Sequence, residues 1–422
     1  MKRYVIVGTG GRCTHSYLGP LTSRFQGRVE LVGLYDPNAK RMDAANQLVG
    51  TAVPTFNNFD EMMRTVKPDG VIVTSQDSTH AHYVVSALDQ NCEAIVEKPL
   101  CTSAEHVRAI RSAAEKSKAK GHVTHNMRFK PDIEVIKREI LDGRIGKVLH
   151  INFAETLDRS HGADYYRRWH RYIENSGGLM IHKASHHFDL INWLADSTPE
   201  TVTALGRQSF YGKHGPFRGE RCSNCEHAEK CNFYVDMFTE KETRMLYREA
   251  ESEDGYIRDG CVFDPRIDIP DTFSASIAYN NGIIASFSLN SYAAYESNSI
   301  AIEGTLGRLE MRAVHSTGFV AGQKTQNVTQ LVNDESFRVG RKVTLFLPHE
   351  GKVLDLTHED VKGGHGGADP KMLEFLFGDA AGDDPLNQFA PLDQGIQAVL
   401  VGLAANKSIQ SNGCPVAVQE LV

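Results

Sequence analysis

Hydrophobic and polar positions alternate in a regular way along the first third of the chain. Short apolar runs at residues 4–7, 29–34, 70–74, 94–96 and 123–124 end near glycine, proline or polar residues, which predicts buried parallel strands. Between them, residues 59–66, 80–88 and 102–118 read as helices, the last favoured in its first turn by Ser103 and Glu105. Strands alternating with helices predict a doubly wound parallel sheet of the Rossmann kind, with right-handed crossovers. Such sheets bind ligands at the carboxyl ends of their strands, here residues 8–12, 36, 74–77, 97–99 and 126–128.

The pattern changes further on. Residues 272–279 and 282–289 alternate around Asn280-Asn281-Gly282, a hairpin signal, and two more pairs follow at 300–303 with 307–311 and at 342–347 with 352–356. These predict an α/β domain with an open, mainly antiparallel sheet. Its broad face suits packing on a second subunit, so a homo-oligomer is expected. A last helix over 392–410, rich in Ala, Leu and Val, is expected to pack back on the body. The division read from this is a dinucleotide-binding domain over 1–128 and a substrate-binding domain over 129–422, the latter carrying a cysteine-rich insertion at about 206–265.

Composition narrows the classes. The 422 residues are 41% hydrophobic and 23% charged with a net charge of −7, which excludes disordered and collagen-like chains and argues against nucleic acid or anionic membranes as partners. No run approaches the roughly 20 apolar residues of a membrane span. The opening MKRYVIVGTGG reads as a first strand rather than a signal peptide, so a cytoplasmic location is expected.

Chemistry enters at the first strand end. Gly8-Thr9-Gly10-Gly11-Arg12-Cys13 gives the first two glycines of a dinucleotide fingerprint, with Cys13 at the third position. Gly8 permits the tight turn, Gly10 allows a diphosphate close approach, and the helix that follows offers amide donors; the plain alternative is a glycine-rich turn. Asp36 closes the second strand, where a carboxylate accepts from ribose hydroxyls and repels a 2′-phosphate. That favours NAD over NADP, although Lys40 and Arg41 nearby weaken the preference. Ser75, His80, Glu97, Lys98 and Asn126, at or beside later strand ends, complete the cofactor candidates.

Together the glycine turn, the acidic second-strand end, Glu97-Lys98-Pro99 and Gly177-Gly178…His186-x-x-Asp189 resemble the Gfo/Idh/MocA oxidoreductases over nearly the whole chain. The resemblance implies hydride exchange between a nicotinamide and a hydroxyl carbon of a sugar, sugar acid, polyol or glycoside. It implies Lys98 as the substrate-contacting ammonium, often after a cis peptide to proline, and His186 as general acid/base. Glu97 would pair with Lys98 or contact the nicotinamide ribose. His182 and His186 are four apart and are expected to share one helix face. Family members usually carry Asp where this chain has His182, so the usual fixed negative charge is missing there; Lys183 fits the cleft in some relatives. Some relatives are redox-neutral glycoside hydrolases, which oxidise a sugar transiently, eliminate the aglycone and return the hydride; His182 and His187 would suit those extra proton steps.

Two further clusters stand out. Arg167, Arg168, Trp169 and His170 suit an anionic sugar, the cations on the anion and the indole stacked on a ring, against the alternative of a solvated basic face. His365, amid four glycines, is a candidate to close over the substrate. Cys222, Cys225, Cys231 and Cys261 have spacings compatible with a structural zinc that would hold the weakly apolar insertion, against free thiols or an iron–sulfur cluster.

Overall fold

The computed structural model describes residues 1–316, 340–358, 366–379 and 384–422. Six strands, β1 (Lys2–Val7), β2 (Val29–Tyr35), β3 (Thr55–Phe56), β4 (Gly70–Val73), β5 (Glu93–Val96) and β6 (Gly121–Val123), form a parallel sheet in the order β6-β5-β4-β1-β2-β3. This is the doubly wound order whose switch point lies between β1 and β4. The central strands are buried on both faces; Val5, Ile6, Val71, Ile72 and Ala94 are wholly enclosed, as continuous apolar runs require. Asn38, Asn58 and Ser103 cap the helices Ala39–Val49, Phe59–Val66 and Ala104–Lys116 by accepting from the third amide along.

The second sheet holds β7 (Val148–Asp158), β8 (Pro199–Arg207), β9 (Thr272–Tyr279), β10 (Ile284–Ala293), β11 (Glu296–Gly304), β12 (Arg308–Ser316), β13 (Gly340–Leu347) and β14 (Lys352–Asp355). Their order is β14-β13-β12-β11-β7-β10-β9-β8, and only the β7–β10 pairing is parallel. The hairpin signal at residues 280–282 falls on the β9–β10 turn, with Gly282 at φ +86°.

The chain's tail joins both sheets. Ala390–Pro391 pairs antiparallel with β6, and Val416–Ala417 pairs with β8. Between them the helix Leu392–Gln410 lies close to both halves: a Cβ on Gly395 would sit 2.4 Å from Val123 Cγ2, and one on Gly402 would sit 2.5 Å from the Met180 carbonyl. No helix among the described residues is long and apolar enough to cross a membrane.

Between β8 and β9 the insertion carries only short helical turns. Polar hubs shape it. Asp271, fully buried, accepts from the amides of Ser209, Phe210 and Tyr211. Asp259, equally buried, takes Arg221 and the amide of Ser223. Tyr211 stacks on Tyr166 at 4.1 Å between centroids. Cys222, Cys225, Cys231 and Cys261 line one cavity with Phe217 and Phe233. Among the described residues, however, no three His, Cys, Asp or Glu side chains are arranged to hold a metal, so the expected zinc centre finds no support here.

Candidate active site

The glycine turn leaves β1 with Gly8 at φ +86°, its amide on the Tyr35 carbonyl at 2.8 Å. A Cβ there would lie 2.6 Å from the Ser75 backbone, so only glycine fits. The helical segment of residues 11–22 starts immediately after, its first amides in the position that receives a diphosphate. The Gly11 amide is taken by the Tyr247 hydroxyl at 2.9 Å. Asp36 stands at the end of β2, but its carboxylate folds back: Oδ2 accepts from the Thr9 amide at 2.8 Å, and Oδ1 from the Asn38 amide and Arg41 Nη1 at 3.0 and 3.1 Å. The carboxylate therefore fixes the turn.

Glu97-Lys98-Pro99 closes β5, and the Lys98–Pro99 peptide is cis. His80 braces it, with Nδ1 2.7 Å from the Pro99 carbonyl and Nε2 3.0 Å from that of Ser75. Ser75 itself meets Thr79 through their hydroxyls. Glu97 does not pair with Lys98. It accepts from Arg12 Nε at 2.8 Å and from the Tyr17 hydroxyl at 2.7 Å, because the glycine-turn helix presents both to it. Arg12 also reaches Asp369, which holds Asn126 Nδ2 at 2.6 Å. Arg12 and Asn126 thus tie the strand ends to the helix Ala368–Phe377.

Lys98 turns into the cleft instead, and its Nζ donates to the His182 carbonyl at 3.0 Å. Burial pushes its ammonium down to about 8, with Asp77 opposing the shift. Asp77 follows β4 and puts Oδ2 2.5 Å from His182 Nδ1. Burial drives the Asp77 carboxyl up and the His182 imidazole well down, so the ring is neutral at neutral pH. A neutral imidazole anchored through Nδ1 keeps Nε2 for a second partner.

The expected single helix carrying both histidines is broken. A short turn, Leu179–His182, precedes Ser185–Ala195, and the amides of Lys183 and Ala184 both donate to the Leu179 carbonyl. Within this interrupted segment His182 faces Asp77, and His186 lies 6.3 Å from the His125 ring. Lys183, expected in the cleft, pairs with buried Glu155 at 3.2 Å, and that carboxylate raises its ammonium. Asp189 pairs with Arg128 through two bonds of 2.7 and 2.5 Å.

Trp169 and His170 stack at 3.7 Å, and the His170 and His182 centroids are 4.2 Å apart; Tyr165 lies 5.4 Å from His182. Arg168 pairs with Asp164 beside Arg258 of the insertion. Arg167 departs from the expectation: it is buried with Nη1 on the Phe233 carbonyl at 3.1 Å, pinning the insertion. His365 lies outside the described residues. Asp77, Tyr165, Tyr247 and Arg258 did not stand out as individual candidates in the sequence. The strand-end rule brackets Asp77, but no local signal marks Tyr247, 236 residues from the amide it meets.

Similarity to known proteins agrees with this arrangement. The oxidoreductase family with an NAD-binding Rossmann fold matches residues 2–125, and that family's C-terminal alpha/beta domain matches residues 137–418. YteT of Bacillus subtilis (strain 168), a protein named as an oxidoreductase, is 33% identical over all of this chain and 99% of its own. The NAD(+)-linked scyllo-inositol 2-dehydrogenase of the same organism is 32% identical over 42% of this chain and 50% of its own. Among solved structures, levoglucosan dehydrogenase with NADH and levoglucosan superposes at TM-score 0.67 with 16% identity, covering 99% of each chain. The Bordetella pertussis WlbA dehydrogenase with NADH and UDP-GlcNAcA gives 0.64 with 17% identity and 98% of each chain. On two matched domains that span nearly its whole length, the chain belongs to the Gfo/Idh/MocA family of NAD(P)-dependent oxidoreductases.

Proposed function

We propose that the protein is an NAD-dependent dehydrogenase of a carbohydrate or polyol, with acidic sugars inside its range. The observation that carries this reading is the meeting of Lys98, His182 and Asp77 at the carboxyl ends of β4 and β5. The glycine turn supports a dinucleotide, because Gly8 admits no side chain and a helix N-terminus follows, where a bound diphosphate would replace the Tyr247 hydroxyl on the Gly11 amide. A bound nicotinamide would supply the hydride acceptor for the carbinol carbon, or the donor in the reverse direction. The Lys98 ammonium stabilises negative charge growing on the substrate oxygen. His186, by family resemblance, exchanges the hydroxyl proton. The neutral His182, oriented by Asp77, holds a substrate hydroxyl beside Lys98.

Support for an acidic substrate comes from charge. Arg168 and Arg258 both lie near the carboxylate of Asp164, and burial with Arg258 nearby lowers Arg168. A substrate carboxylate would relieve that excess, with Trp169 beside it.

The test is a screen of neutral sugars, sugar acids, polyols and glycosides with NAD and NADP, following reduced cofactor and product mass together. Net NADH with an oxidised product is expected, larger for acidic sugars. Aglycone release without net NADH would instead establish the redox-neutral hydrolase chemistry and overturn this reading.

A further inference from the structure

The insertion does more than cover the second domain: residues 241–254 lie against the dinucleotide-binding edge. Asn38 Nδ2 donates to the Ala250 carbonyl at 2.8 Å, and Arg41 Nε to that of Leu246 at 3.1 Å. Arg41 Nη1 reaches Asp36 at 3.1 Å, and its Nη2 reaches Asp254 at 2.6 Å. Lys40 gives its Nζ to Ser252 Oγ at 2.8 Å and its amide to Glu253 at 3.1 Å.

Arg41 occupies the first turn of the helix after β2, five residues past Asp36. An arginine near this strand end can accommodate the 2′-phosphate of NADP. Here both of its terminal nitrogens are already held by carboxylates. One guanidinium between two carboxylates leaves one net negative charge; without Asp254 the cluster would be neutral and half of the fork free. A phosphate near the first arrangement meets repulsion, and near the second it meets a bidentate donor. The neighbouring cation, Lys40, is likewise drawn toward the insertion.

We infer that the insertion selects the cofactor: Asp254 pins Arg41 and thereby excludes a 2′-phosphorylated dinucleotide. Asp254 acts through Arg41 and is a positioning residue. The inference rests on the reading of NAD as the cofactor, and it places the determinant on a segment more than 200 residues away from the strand end it controls.

The experiment titrates full-length protein with NADH and NADPH and reads the fluorescence of the bound nicotinamide, so that no substrate is needed. The Asp254 side chain keeps 21% of its surface exposed, and Asp254→Asn preserves its shape while removing its charge. Wild type is expected to prefer NADH. Asp254→Asn is expected to tighten NADPH relative to NADH by about tenfold or more, Asp254→Glu to restore the wild-type ratio, and Arg41→Gln in the Asp254→Asn background to abolish the gain. An unchanged ratio in Asp254→Asn, or a gain that survives Arg41→Gln, overturns the inference while a wild-type preference for NADH still stands. A wild type that prefers NADPH overturns the cofactor reading and the inference together.

Discussion

Asp77 and His182 are 105 residues apart in the chain and meet across the cleft, carboxylate Oδ2 to imidazole Nδ1, at 2.5 Å. The carboxylate that meets this imidazole comes from the end of β4. Asp77→Asn keeps the shape and removes the acid. It is expected to lower kcat by about tenfold to a hundredfold and to shift the pH profile, with NADH affinity nearly unchanged. Asp77→Glu should recover part of the rate. Steady-state kinetics on the substrate found in the screen check this.

Lys98 separates activity from stability. Its ammonium titrates at about 8 in the folded protein against 10.5 ordinarily. The charged form is the one that polarises the hydroxyl, so kcat is expected to hold below about pH 8 and fall above it. For stability the sign is opposite. The folded state disfavours the proton, so the cost is full below pH 8 and fades toward 10.5. Lys98→Met should abolish turnover yet raise stability at pH 7, because the cost of burying the ammonium is removed for the loss of one hydrogen bond to the His182 carbonyl. Denaturant unfolding at pH 7 and pH 10 measures it.

Acid should unfold the protein through its buried histidines. Burial pushes His125 down to about 4 and His187 to about 3, from 6.5. Both are neutral in the native state, so their contribution is complete above about pH 6.5. It is lost as pH falls toward 4 and 3, where the unfolded chain takes up protons first. The melting temperature is expected to decline steadily below pH 6.5, and His125→Gln should flatten that slope. Calorimetry from pH 8 to pH 4 provides the check.

Arg128 joins the two halves. It is almost wholly buried, with Asp189 on one side and Gln394 and the Asn387 carbonyl on the other. Arg128→Ala leaves the Asp189 carboxylate enclosed without its partner and should cost about 3–5 kcal/mol. The loss is read from the denaturant midpoint, with an unchanged slope.

Much of this was legible in the chain because it is local. Strand ends, the Gly8 turn and the Asn280-Asn281-Gly282 hairpin depend on neighbours in sequence, and alternating apolar runs report burial directly. The partners of charged groups were not legible. Glu97 goes to Arg12 rather than Lys98, and Lys183 pairs with Glu155, because each choice depends on which helix face a distant element presents. The helix expected to run unbroken through His182 and His186 is interrupted at residues 183–184, where two amides share the Leu179 carbonyl, a break that apolar periodicity does not report.

The tail that contributes Ala390–Pro391 to one sheet and Val416–Ala417 to the other has a consequence for biogenesis. While the ribosome is still working through the chain, β6 and β8 each wait with an open edge and a bare hydrophobic flank. The first sheet gains its last strand with residues 390–391 and the second with residues 416–417, so each is closed only by residues made long after the strand they cover.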